Sequence, residues 1–140
     1  MKILLAVDGS TYSKKMLAYL STHEALLAPG HDYTVFNAQT ALPPRAKAAL
    51  GKSTVDAYHA EEAAKVLSTT TKFLKRHGID AKVEWKVGPA GSLIGKLAED
   101  GQFDLLVMGS HGHSALGNLV MGSVATQVLA HCKTPVLLVR

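Results

Sequence analysis

The residues best suited to chemistry lie near the end of the chain, where Gly109 and Gly112 flank a Ser-His pair and Gly122-Ser123 follows after nine intervening residues. Glycines let a backbone approach a ligand closely and expose consecutive N–H groups, and the start of a helix adds partial positive charge. Such a loop suits an anion. The glycine count alone favours an ordinary turn. Gly122 favours a ligand, because a glycine inside a regular helix costs about 1 kcal/mol against alanine and needs a packing or functional reason.

A second polar cluster, Asp8-Gly9-Ser10, follows the first apolar run of the sequence. A carboxylate here can accept hydrogen bonds from ribose hydroxyls or help to hold a divalent metal that bridges phosphates. The N-cap of a following helix is an equally suitable role for Asp8, and the two roles are compatible. Ser123 has a similar pair of roles: its hydroxyl can donate to a phosphate oxygen, or it can bond to a carbonyl of its own helix.

Three other chemistries are excluded by spacing. A P-loop needs a lysine where Asn118 stands. A serine hydrolase needs more than the adjacent Ser110 and His111, and the G-x-S-x-G pattern is missing. Zinc needs paired ligand spacing, which is lacking among the candidates His111, His113, His131 and Cys132. We therefore predict no catalytic residue and no metal held by protein side chains alone.

Five short segments predict the strands that position these loops. Four are apolar runs typical of buried strands: Ile3–Val7, Tyr33–Ala38, Asp104–Met108 and Pro135–Val139. In the fifth, Val83, Trp85 and Val87 alternate with charged residues, which predicts a strand that is wet on one face and lies at a sheet edge.

Four helices are predicted between the strands. The first starts at Ser10 or Thr11 and stops at Pro29-Gly30, and its apolar residues are Met16, Leu17, Leu20 and Leu27. The second runs from about Val55 to Arg76 with an apolar face of Ala60, Ala63, Ala64, Leu67 and Leu74. The third carries Leu93, Ile94 and Leu97, and the fourth carries Leu116, Leu119, Val120, Val124 and Val128. The order βαβαβαβαβ predicts a mostly parallel sheet with helices on both faces, and a ligand crevice at the carboxyl ends of its strands.

The segment Pro43–Ser53 is predicted to be a long loop. It contains Arg45, Lys47 and Lys52 and no acid. One hypothesis is that this basic loop closes over the phosphates of a ligand, and the alternative is a solvated loop without that role.

Composition limits the class of protein. The 140 residues, 47% hydrophobic and 19% charged with a net charge of +4, predict one globular domain over 1–140. The basic residues are dispersed and aromatics are few, so nucleic acid is not expected as a partner. The first apolar run is too short for a signal peptide or a membrane span. With a single cysteine, no disulfide framework can form within the chain, and a cytoplasmic location is expected.

The glycine pattern resembles a known signature. Gly109-x-x-Gly112, nine residues and then Gly122-Ser123 is similar to the nucleotide-binding motif of the universal stress protein family, with every spacing intact. The segments Val7–Ser10, Met108–Gly112, Gly122–Val124 and Thr134–Arg140 also resemble that family, so the likeness spans the whole chain.

The resemblance implies a Rossmann-like five-stranded sheet of order 3-2-1-4-5 that binds ATP or a related adenine nucleotide, ADP or AMP. Ala6 and Asp8 would line the adenosine site, Ala38 would meet the adenine through its backbone, and the glycine motif would hold ribose and phosphates. A Mg²⁺ ion would be held mainly by the phosphates. The implied nucleotide-binding residues are Ala6, Val7, Asp8, Ala38, Met108, Gly109, Ser110, His111, Gly112, Gly122, Ser123 and Val124.

The resemblance also implies a homodimer formed by antiparallel pairing of the last strand, through Val136, Leu137, Leu138 and Val139. An apolar edge strand needs such a cover, because exposed edges promote association. The implied function is a nucleotide-binding stress-response or signalling protein without efficient turnover, acting with a signalling partner that the sequence does not identify. Two alternatives stay open: a slow ATPase or autophosphorylating protein, and a protein that binds no nucleotide and acts through protein contacts.

Overall fold

The computed structural model of the chain describes residues 1–113 and 120–140. Five parallel strands form one sheet in the order β3-β2-β1-β4-β5, which confirms the predicted parallel α/β class and strand order. The strands are β1 (Lys2–Ala6), β2 (Asp32–Gln39), β3 (Lys82–Val87), β4 (Leu105–Gly109) and β5 (Val136–Val139). The helices are α1 (Thr11–Ser21), α2 (Pro44–Leu50), α3 (Lys52–Arg76), α4 (Ala90–Asp100) and α5 (Ser123–His131).

Two helical layers cover the sheet. Side chains alternate between the faces of a strand, so β1 sends Ile3 and Leu5 towards α1 and α3, and Leu4 and Ala6 towards α4 and α5. A strand covered on both faces must be apolar throughout, which is why an uninterrupted apolar run marked β1 in the sequence.

The predicted first helix is too long. α1 ends at Ser21 and not near Leu27, because side chains take over the carbonyls of its last turn. The Thr22 hydroxyl donates to the Tyr19 carbonyl at 2.9 Å, and the His23 ring bonds the same oxygen at 2.7 Å. Leu27 still packs against the core, but from the loop that follows the helix.

The prediction that Pro43–Ser53 is a loop is wrong. The segment contains the seven-residue helix α2 and the first two residues of α3, so the described part of the chain has five helices where four were expected. The two helices meet at Gly51, whose φ of 80° suits a residue without a side chain. The predicted apolar face of α3 is right at Ala63, Leu67 and Leu74, but Ala60 and Ala64 are exposed.

The remaining differences concern β3 and α5. β3 is an edge strand as predicted, yet its apolar side is also open, with Val83 47%, Trp85 38% and Val87 40% exposed. α5 begins only at Ser123, so Val120 precedes it. Leu116 and Leu119, which were predicted to lie on this helix, lie outside the described residues. Within 1–113 and 120–140, no helix is long and apolar enough to cross a bilayer.

Gly91 and Gly95 offer a test of how tightly α4 packs on α5, the helix that begins with Ser123. A Cβ at Gly91 would lie 2.5 Å from the Cβ of Gln127 on α5, whereas one at Gly95 would lie 3.7 Å from the Cβ of Cys132. We expect Gly91→Ala to lower the free energy of unfolding by about 1–3 kcal/mol. Gly95→Ala should instead raise it by up to about 1 kcal/mol, since helix propensity improves without a clash. Urea titration of both variants checks this, and equal effects would contradict the packing.

Candidate functional site

A cleft of about 820 Å³ opens at the carboxyl ends of β1 and β4, in the middle of the sheet. From β1 the chain proceeds outward through β2 and β3 and then returns to β4 on the other side of β1. This reversal leaves a crevice, which is where open parallel sheets bind ligands. The volume lies within the range of about 300–1,000 Å³ that is usual for small-molecule sites.

The cleft straddles the edge of the sheet and has two chemically different halves. The half towards α4 and α5 is apolar and is lined by Ala6, Ala38, Ala90, Ile94, Met108, Val124 and Ala125. The half towards α1 and α3 is largely polar and is lined by Ser13, Lys14, Asn37, Gln39, Tyr58, Glu62, Lys65, Thr69 and Thr70. A ligand with a flat apolar part and a polar part fits such a cleft.

Asp8 stands where the two halves meet. Its Oδ1 accepts hydrogen bonds from the Ser10 N–H and from the Ser13 hydroxyl, both at 2.9 Å, and its own N–H donates to the Ser13 Oγ at 3.0 Å. Its Oδ2 accepts nothing from the described residues. The N-cap of α1 is Ser10 and not Asp8, because the Ser10 side chain accepts from the Ser13 N–H. Asp8 is thus held through one oxygen while the other stays available to a ligand.

The glycine loop after β4 passes close to Asp8 and to the start of α5. A Cβ on Gly112 would lie 2.8 Å from Asp8 Oδ2, and one on Gly122 would lie 3.1 Å from the His111 Cα. The Gly122 N–H donates to the carbonyl of Ser110 at 2.7 Å and ties the loop to the helix. Gly122 is the N-cap of α5, so the expectation that it lies inside a helix is wrong. The reason for glycine here is close backbone packing.

The N-terminus of α5 faces the cleft through Ser123 and Val124. Its glycine N-cap has no side chain to accept from the first N–H groups, and the first turn holds no acidic residue. Those N–H groups, together with the helix dipole, make this end of the cleft attractive to an anion.

Two histidines fix the loop from either side. His111 contacts the hydroxyl of the buried Ser110 through its Nδ1 at 2.8 Å, and its ring packs on that of Tyr12 with centroids 4.7 Å apart. His113 Nε2 lies 2.7 Å from the Asp8 carbonyl oxygen. Because a carbonyl only accepts, this nitrogen of His113 carries a proton. The contacts connect the loop after β4 to the loop after β1.

The structure brings the predicted site residues together. Eleven of the twelve line the cleft: Ala6, Val7, Asp8, Ala38, Met108, Gly109, His111, Gly112, Gly122, Ser123 and Val124. Ser110 does not line it, being 1% exposed beneath the loop. The basic residues for which closure over the phosphates was one of two hypotheses lie elsewhere: Arg45 does not line the cleft, and Lys47 and Lys52 line a separate groove.

Sequence reasoning missed the residues that α1 and α3 contribute. The lysines of the cleft are Lys14 and Lys65, and the second is paired with Glu62 at 3.1 Å. Hydrogen bonding to Glu62 raises the pKa of Lys65 above its ordinary value. Nothing in their spacing distinguished these residues from an ordinary solvated helix face. In the described parts of the chain, no group of three or more His, Cys, Asp or Glu side chains is placed to hold a metal.

Comparison with known proteins agrees with the fold and with the glycine loop. The sequence model of the universal stress protein family matches residues 1–140 of the chain. The chain belongs to the universal stress protein family. It is 38% identical over 141 residues to the universal stress protein Slr1230 of Synechocystis, a match that covers 99% of this chain and 42% of that protein. The chain thus spans less than half the length of that relative.

Solved structures of other universal stress proteins share the architecture. The structure of MJ0577 from Methanocaldococcus jannaschii superposes with a TM-score of 0.81 at 27% identity, covering 99% of this chain and 94% of that one. A family member from Arabidopsis thaliana, solved with AMP bound, gives a TM-score of 0.69 at 16% identity and covers 99% and 90% of the two chains.

Ser13 gives a test of how Asp8 is held. We expect Ser13→Ala to lower the free energy of unfolding by about 1–2 kcal/mol, because it leaves the Asp8 N–H without its acceptor in a partly buried position. Ser21→Ala is the matched control, since the Ser21 hydroxyl bonds only an exposed carbonyl of α1. Urea denaturation of both variants measures the difference. An equal, small effect of the two substitutions would show that the bonds between Ser13 and Asp8 do not matter.

Proposed function

We propose that this universal stress protein binds an adenine nucleotide, preferably ATP, in the cleft at the carboxyl ends of β1 and β4. The observation that carries the proposal is the glycine motif: its last glycine, Gly122, leaves the start of α5 without a side-chain cap, and its second glycine, Gly112, lies beside the Asp8 carboxylate. An anion-binding helix end, a ribose acceptor and an apolar wall then follow one another along a single cleft.

The phosphates belong at the start of α5. The N–H groups of its first turn and the Ser123 hydroxyl are donors. Gly112 and Gly122 let the loop pack closely against Asp8 and against its own backbone. His111 lines the same end of the cleft. A Mg²⁺ ion would be held mainly by the phosphates, because the carboxylates among the described lining residues are Asp8 and Glu62, and Glu62 is paired with Lys65.

The ribose and the base belong on the side of Asp8 that lies towards β2. Asp8 Oδ2 can accept from ribose hydroxyls, because Oδ1 is already occupied by Ser10 and Ser13. The apolar half of the cleft, between Ala38 at the end of β2 and Ile94 on α4, suits a flat purine ring. The AMP-bound relative supports an adenine nucleotide as the ligand class in this family.

The biological role that we propose is a nucleotide-dependent stress-response or signalling protein, acting through a partner that recognises the nucleotide state. The hydrogen-bonded pair Ser110 and His111 does not present a nucleophile to the described cleft, because Ser110 is buried beneath the loop. Binding, and not turnover, is therefore the activity that the geometry supports best.

Asp8 provides the test. ATP at millimolar concentration should raise the Tm of the wild-type protein, and Asp8→Ala should weaken ATP binding about tenfold or more in calorimetry, because a charge-assisted acceptor is lost. Asp80→Ala, which removes an exposed carboxylate outside the cleft, is the control. No rise in Tm with ATP would refute the proposal. Steady release of ADP that Asp8→Ala abolishes would instead identify a slow hydrolase.

We further propose that two copies pair through β5. The Pro135 and Val139 carbonyls accept from the N–H groups of Leu106 in β4 and of Ser110 just after it. The backbone groups of Val136 and Leu138 therefore point to the open edge of the sheet. An uncovered apolar edge strand is prone to association, and antiparallel pairing with a second copy would satisfy its free N–H and C=O groups.

Two substitutions of Leu138 distinguish dimerisation through backbone pairing from dimerisation through side-chain packing. Leu138→Pro removes the outward N–H and should give a monomer of 14.8 kDa in light scattering, whereas the wild type should have twice that mass. Leu138→Ala is the matched control, because it loses most of the same side chain but keeps the N–H, and it should stay dimeric. A wild-type monomer at micromolar concentration would overturn the dimer.

A further inference from the structure

His59 is buried in α3 without any hydrogen bond. Its side chain is 2% exposed, and neither Nδ1 nor Nε2 has a partner among the described residues. An imidazole carries at least one N–H donor and, when neutral, one acceptor, and burying both without partners is unfavourable. Such a group in a native structure calls for an explanation, and a ligand that supplies the partner is one.

The His59 ring lines a groove of about 580 Å³ that is separate from the nucleotide cleft. The groove lies between α2, α3 and the end of β3, and its walls are mainly apolar: Pro44, Ala48, Val55 and Val87. α2 buries none of its own side chains and is joined to α3 through Gly51. It therefore covers the groove as a flap, and does not form part of the core.

Charge around the groove favours an anion. Lys47 on α2 and Lys52 on α3 line it, against the single carboxylate of Asp56. No salt bridge of 4.0 Å or less joins Asp56 to either lysine in the part of the chain that the structure describes. The groove thus combines an apolar wall, a buried hydrogen-bond donor and two lysines.

From these features we infer that the groove beneath α2 binds a small organic monocarboxylate with an apolar tail. The carboxylate lies near Lys47 and Lys52 and accepts from the His59 ring once α2 gives way, because both ring nitrogens are buried while the groove is empty. The tail contacts Val55 and Val87. A metal ion does not fit, because His59 and Asp56 are the only side chains of the groove suited to ligate one. Inorganic phosphate does not fit either, since it would leave the apolar wall uncovered. The inference does not depend on the nucleotide site.

Hexanoate is a suitable probe, and hexanamide is its neutral analogue of nearly the same shape. In protein with ¹⁵N-labelled histidine, hexanoate should shift the ring resonances of His59 saturably, and hexanamide should bind about threefold to tenfold more weakly. The His59 signals are identified as those missing from His59→Leu. ATP binding, followed in parallel, should not change with either probe.

Variants separate the contributions of charge and ring. Lys47→Gln combined with Lys52→Gln should weaken hexanoate about threefold to tenfold and leave hexanamide unchanged. Lys72→Gln, an exposed lysine of α3 outside the groove, is the control and should have no effect. His59→Leu should weaken hexanoate and also raise the Tm, because an apolar side chain removes the unpartnered buried nitrogens.

Two results would overturn the inference. Equal binding of hexanoate and hexanamide would mean an apolar groove without selectivity for an anion. Absence of a saturable shift in every histidine ring resonance at high millimolar hexanoate would mean that no such site exists, and this result needs no variant to fold.

Discussion

The arrangement of β1 is the constraint on which the rest of the structure depends. Its backbone is bonded to β2 on one side and to β4 on the other, and Ile3, Leu4 and Leu5 are fully buried between the two helical layers. The polar residues that follow such a strand lie at the carboxyl edge of the sheet, beyond the buried part of the strand. Asp8 and the glycine loop after β4 are therefore brought to the same point by backbone pairing alone.

The sequence predicted those parts of the fold in which a strong local pattern and the tertiary structure agree. Buried parallel strands have no wet face, so β1 and β4 appear as continuous apolar runs. The end of α1 could not be predicted, because it depends on Thr22 and His23 competing for a carbonyl, and any polar residue near a helix end can do this. α2 was missed since it has no buried face, and periodicity is visible only where one face is apolar.

The part of the candidate site that is formed by the backbone was predicted from the sequence. The glycine motif marks residues whose main chains pack closely, and it found the loop even though the reason given for Gly122 was wrong. The polar half of the cleft was not found, because Asn37, Glu62 and Lys65 come from elements far apart in the sequence. Only the packing of α3 on β2 brings them together.

The position of α3 brings two cavities onto one helix. Tyr58 and His59 are successive residues of this 25-residue helix, yet Tyr58 lines the central cleft and His59 lines the groove under α2. Successive side chains of an α-helix point about 100° apart, so neighbouring residues can face different cavities. α3 is thus a wall common to two cavities that share no lining residue.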